Sequence, residues 1–154
     1  MRRALWAGVL AAAWVGCPKP VTPVSGEWGA GEIAWRTFDD GQREATQQHR
    51  PICLVFFTTW CPHCKNYAKL FGDPKVVERA KAFVMVRVDN DRDKALAARF
   101  SPDGQYIPRT YFLSSQGVLD PTLVAQQGRY RYFYDESDPT ALLEGMGRAL
   151  TRLQ

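Results

Sequence analysis

The sequence predicts an α/β domain with a central mixed sheet flanked by helices. Three observations point there. Ile52-Cys53-Leu54-Val55-Phe56-Phe57 is continuously apolar, the mark of a strand buried on both faces as in parallel sheets. Cys64, Tyr67, Ala68 and Phe71 follow it at i, i+3, i+4 and i+7, one face of a helix. Strand-like and helix-like stretches then alternate along the chain, as in strand–helix–strand units.

The folded part is expected to begin near Glu32. Ile33 and Trp35 alternate with polar neighbours and read as a short strand. Asp39 and Asp40 are candidate caps for a helix running to about His49, with Phe38 and Ala45 as a thin apolar face. Arg50-Pro51 ends it, and the 52–57 strand follows. After the helix that starts in the cysteine motif, Phe83 to Val88 reads as a second buried strand ended by Asp89-Asn90-Asp91. Lys94 to Phe100 suits a short helix, and Ser101-Pro102-Asp103-Gly104 a turn. Thr110 to Leu113 is a third strand, closed by the turn Ser114-Ser115-Gln116-Gly117. Arg129 to Tyr134 alternates like a strand antiparallel to it, with Tyr130, Tyr132 and Tyr134 on one side. A last helix has Asp138 as N-cap, Pro139 at its first position and an apolar stripe of Leu142, Met146, Ala149, Leu150 and Leu153.

The chain has 154 residues, enough for one compact domain with a sizeable core. Its N-terminus looks like an export signal. Met1-Arg2-Arg3 is positive, Ala4 to Val15 carries no charge, and the run ends at Gly16-Cys17. That apolar stretch is short for a membrane span. Val15-Gly16-Cys17 resembles a bacterial lipobox, with Cys17 as the lipidated residue, although Trp14 stands where leucine is usual. Cleavage at an ordinary signal site, with Cys17 incidental, is the alternative. Residues 1–16 are thus expected to be a signal peptide and 17–31 a tether. Pro18 to Gly31 holds three prolines and three glycines without a hydrophobic period, and would keep the 32–154 domain near a membrane. The expected location is the cell envelope or periplasm, where disulfides form and persist. The net charge of +4 is halved if Arg2 and Arg3 leave with the signal, too mild to argue for nucleic acid.

Trp60-Cys61-Pro62-His63-Cys64 carries the chemistry. Two cysteines three apart can close a disulfide within one helical turn. Cys61, at the helix start, faces unpaired backbone N–H groups that stabilise a thiolate, the species that attacks disulfides. Cys64, one turn further in, resolves the mixed disulfide. His63 adds a donor close to the Cys61 sulfur, Pro62 starts the helix, and with Trp60 they tune the thiolate. A Cys-x-x-Cys also serves in zinc ribbons, but zinc needs two further ligands, and the remaining His49 and the strand residue Cys53 make a poor set. A purely structural disulfide over so short a loop would gain little entropy. No metal and no cofactor are expected.

Leu54-Val55-Phe56-Phe57 followed by Trp60-Cys61-Pro62-His63-Cys64 resembles the thioredoxin superfamily. The run from Ser101 to Leu113, and later Arg131-Tyr132-Phe133-Tyr134, resemble its small single-domain endoplasmic-reticulum members, the anterior-gradient group, over roughly 36–153. The resemblance implies a thioredoxin fold and a cis Ile107–Pro108 bond, with both residues shaping the groove for a substrate chain. Two features depart from that group. Proline and histidine between the cysteines are as in the periplasmic oxidase DsbA, whose helical insertion has no room here. The position where many thioredoxins bury an acid is Val55.

The expected function is an exported thiol–disulfide oxidoreductase acting on protein thiols and disulfides, reset by a redox partner. It would work as a monomer held to the membrane by lipid on Cys17. The alternative is a redox-inactive, chaperone-like or copper-handling module using the same cysteines as a soft metal site. Cys53 is expected in the core, His49 at a helix end, and Arg109 at a substrate carbonyl or on the surface.

Overall fold

The computed structural model describes residues 28–153. Five helices and three strands follow in the order α1 (Phe38–Gln48), β1 (Ile52–Phe57), α2 (Pro62–Leu70), α3 (Pro74–Ala80), β2 (Val84–Asp89), α4 (Lys94–Arg99), β3 (Arg109–Leu113) and α5 (Thr140–Leu153). The sheet order is β2-β1-β3. β1 runs parallel to β2, with Val55 opposite Arg87, and antiparallel to β3, with Val55 opposite Thr110.

The apolar run 52–57 becomes the central strand because both of its faces are covered. Ile52, Leu54 and Phe56 pack with Val84, Val86, Tyr111, Leu113 and Ala45 of α1. Cys53 and Val55 face the other way, into the cluster that holds Cys61, Cys64, Tyr67, Phe112 and Met146. Alternation along a strand thus splits one apolar run between two cores. Gly41 lets α1 approach the sheet, since a Cβ there would collide with Val86 Cγ2.

Several expectations shift. The α1 cap is Thr37, whose hydroxyl accepts from the Asp40 N–H at 3.3 Å and donates to Asp40 Oδ2 at 2.8 Å. His49 does sit at its end, as a left-handed C-cap with φ 53°. The 33–35 strand shrinks to one parallel bridge, Arg36 to Val86. α3 was not anticipated, yet it is capped by Asp73 with Pro74 next, a local start signal. Asp138 does bond the Thr140 N–H at the start of α5, at 2.7 Å.

The expected strand 129–134 is irregular, so no antiparallel partner for β3 forms there. Gly128 and Tyr130 have positive φ (91° and 57°), which breaks the extended backbone. One ladder-like bond survives, from Thr110 N–H to the Tyr132 carbonyl at 2.9 Å. The three tyrosines do not share a side. Tyr132 joins one core, Tyr134 the other, and Tyr130 stays exposed. The folded part also starts earlier than Glu32. Trp28 is buried against Trp35, Phe57, Tyr67 and Phe71, and its carbonyl accepts from the Trp35 indole at 2.7 Å. The remaining expected tether, Cys17 and the 1–16 signal segment lie outside the described residues.

Candidate active site

β1 ends at Phe57, and the chain turns through Thr58 and Thr59 into the cysteine motif. Cys61 is the N-cap of α2 with extended backbone (φ −74°, ψ 121°), and Pro62 opens the helix. Proline suits that place because its missing N–H would be unpaired there in any case. The Cys61 carbonyl accepts the Lys65 N–H at 3.2 Å, closing the first turn. Cys64 therefore lies on the same turn, and the two thiols are within hydrogen-bonding reach of each other. Both are largely enclosed, with 4% exposure at Cys61 and 1% at Cys64.

The two sulfurs sit in unlike surroundings. Burial pushes the Cys64 thiol up to about 12; a backbone hydrogen bond from Thr58 pulls it down, while Cys61 and Glu136 push it up. Burial alone holds the Cys53 thiol far above its ordinary value, deep in the sheet. Iodoacetamide at mildly alkaline pH is therefore expected to label Cys61 first. Cys64 and Cys53 stay protected until the chain unfolds, which mass mapping of the alkylated peptides checks.

The flanking residues are held from distant segments. Trp60 is 64% exposed, and its indole N–H donates to Asp91 Oδ2 at 2.7 Å, just past β2. His63 is 63% exposed on its side chain and turns to Glu136, with Nδ1 at 2.9 and 3.0 Å from the two carboxylate oxygens. Asn66 Nδ2 donates to the same carboxylate at 3.2 Å, and the Phe133 ring meets the imidazole edge-on at 6.0 Å. The hydrogen-bond partner of the ring is thus the Glu136 carboxylate.

The Ile107–Pro108 bond is cis, and Ile107 packs against the cluster that contains both cysteines. Arg109 is neither at the surface nor at an open groove. It is fully buried beside Phe56 and donates to the Tyr106 carbonyl (2.7 Å), Asn90 Oδ1 (3.0 Å) and the Ala97 carbonyl (3.4 Å). Asn90 in turn bonds back to the Phe57 carbonyl through its N–H at 2.8 Å. One guanidinium therefore ties the segment before Pro108 to the loops that flank the cysteines. The Tyr67 and Thr110 hydroxyls share a buried hydrogen bond of 2.7 Å, and Thr110 is the β3 residue opposite Val55.

The sequence reading missed Glu136 and the internal role of Arg109. Glu136 lies 73 residues from His63 in the chain, so no local pattern links them. Arg109 opens the apolar strand β3, where a buried guanidinium is unexpected. Among the described residues no group of three or more His, Cys, Asp or Glu side chains is placed to hold a metal ion.

A family model described as thioredoxin-like matches residues 34–115. The human anterior gradient protein 2 homolog is 31% identical over 139 residues, covering 89% of this chain and 77% of its own length. Anterior gradient protein 3 of Xenopus tropicalis is 31% identical over 137 residues, covering 82% and 77%. In three dimensions the chain is similar to a thioredoxin from Thermus thermophilus (TM-score 0.62, 21% identity, 79% of this chain and 89% of the other). It is also similar to the DsbH oxidoreductase (TM-score 0.57, 16% identity, 90% and 93%). The sheet with its flanking helices, the matched family model and relatives of this identity place the chain in one group: it belongs to the thioredoxin-like family.

Proposed function

We propose that the protein is an exported thiol–disulfide oxidoreductase that exchanges disulfides with protein substrates through Cys61 and Cys64. The observation that carries the reading is the pair of cysteine side chains in mutual contact at the N-terminus of α2, with Ile107 packed against the same cluster. In the reducing direction the Cys61 thiolate attacks one sulfur of a substrate disulfide, and the other leaves as a thiol. The Cys64 sulfur then attacks Cys61, closing their S–S bond and releasing the second substrate thiol. Oxidation of a substrate runs the same steps backwards. Electrons pass between dithiols, so a second protein or small thiol resets the pair and no bound cofactor is needed.

Cys61 and Cys64 are the catalytic residues of this reading. Pro62, His63 and Trp60 tune the thiolate, and Ile107 and Pro108 line the substrate groove. Equilibration with glutathione tests it: a two-electron couple confined to Cys61 and Cys64 is expected, and its value separates an oxidase from a reductase. Tight copper binding by the dithiol without such a couple would favour the metal-handling alternative.

Export and anchoring rest on Arg2-Arg3, the uncharged run and Gly16-Cys17. The expected mature N-terminus is a lipidated Cys17, giving a membrane-tethered envelope protein. Mass spectrometry of the protein purified from its own membranes checks this, and an unmodified or missing Cys17 refutes the tether.

A further inference from the structure

Outside the cysteine pair, one cluster of titratable side chains meets the start of α2, and Glu136 is its centre. The carboxylate takes both of its oxygens to His63 Nδ1, at 2.9 and 3.0 Å, and accepts from Asn66 Nδ2 at 3.2 Å. Asn66 Oδ1 is itself held by Lys69 Nζ at 3.1 Å. The glutamate side chain is mostly covered while its histidine partner is open to solvent. Its placement is not left to a loose loop. Tyr134, two residues earlier, is buried so closely on Gly145 of α5 that a Cβ there would lie 2.7 Å from its hydroxyl. Two residues later Asp138 caps the start of α5.

We propose that Glu136 is a positioning residue of the redox pair: its carboxylate fixes the His63 ring at the start of α2 and offsets the positive charge there, holding the Cys61–Cys64 couple at a less oxidising potential. This rests on the oxidoreductase reading above. The physical reason is charge balance. A protonated His63 and the α2 N-terminus both favour a thiolate and so the reduced pair, which makes the couple oxidising. A carboxylate bonded to that same ring adds a negative charge on the opposite side of the balance. The arrangement also fixes the histidine: with Glu136 accepting at Nδ1, that nitrogen carries the proton, and Nε2 is the atom left for solvent or substrate.

The test is equilibration of the full-length protein with glutathione. The dithiol passes two electrons and two protons to glutathione disulfide, forming the Cys61–Cys64 bond and releasing two glutathione thiols. Glu136→Gln keeps the shape and removes the charge. It is expected to shift the equilibrium towards the dithiol by about three-fold, the scale of one partly exposed charge. Glu136→Asp, which keeps the charge, should stay closer to wild type than Glu136→Gln, and His63→Ala should move the equilibrium the opposite way. A thermal melt of each variant identifies any loss of fold, which an altered equilibrium constant in a fully folded protein does not reflect. A folded Glu136→Gln protein with an unchanged equilibrium, or one shifted towards the disulfide, overturns the proposal while the oxidoreductase reading stands. A wild-type pair that never equilibrates with glutathione overturns both.

Discussion

Replacing Cys61 by Ser lowers insulin reduction at least about a hundred-fold, because a hydroxyl is a far weaker nucleophile than a thiolate. Cys64→Ser gives a different failure. Cys61 still attacks, but nothing resolves the product, so covalent complexes with substrate accumulate and appear as thiol-sensitive bands on a non-reducing gel. The asymmetry follows from the surroundings of the two sulfurs. Cys61 stands at the N-cap of α2, where the first N–H groups are unpaired. Cys64 is enclosed, and burial pushes its thiol up to about 12, so it stays protonated while Cys61 is free. Once Cys61 is tied up in a mixed disulfide, its own hydrogen bond and charge no longer oppose ionisation of Cys64. The Thr58 hydrogen bond then works unopposed by Cys61. Insulin reduction that survives Cys61→Ser would sink the assignment of the nucleophile, and equal trapping by both variants would sink the division of roles.

Arg109→Ala is expected to cost about 3–5 kcal/mol of stability, because it opens a buried cavity and leaves three neutral acceptors without their donor. Three acceptors lose their donor: the Tyr106 and Ala97 carbonyls and Asn90 Oδ1. The ring of Phe56, with the guanidinium centred 5.0 Å from it, then borders a cavity. Urea unfolding should show a lower midpoint with a similar slope, and the melting temperature should fall by about 10 °C for a domain of this size. Arg109→Lys should recover only part of the loss, because one ammonium cannot serve acceptors spread around a planar fork. A loss under about 1 kcal/mol would mean that water replaces the guanidinium without penalty.

Much of this molecule is readable from its sequence, and what the site leans on is not. The cysteine motif declares itself because its features are local: an apolar strand, two cysteines one turn apart, a proline and an amphipathic helix all lie between Ile52 and Phe71. The capped start of α5 and the two-faced burial of β1 are likewise local or periodic. The tyrosines at 130, 132 and 134 show where this breaks down. Their alternation is real, yet positive φ at Gly128 and Tyr130 turns the backbone, so Tyr132 and Tyr134 enter opposite cores. Alternation measures which residues are apolar, and it does not measure whether the chain between them is extended.

The sequence by itself determined the strand–helix order around the cysteines, which of them stands at the helix start, and the two-faced apolar burial of β1. These depend on neighbours within a turn or two, where spacing along the chain equals spacing in space. Only the tertiary structure decided what the side chains of the candidate site lean on. Glu136 under His63, Asp91 under Trp60, and the buried fork of Arg109 between Tyr106, Asn90 and Ala97 join segments brought together by the sheet and its packed helices. Such contacts gain their strength from enclosure and close approach of groups far apart in sequence, and the packing of the whole domain creates both.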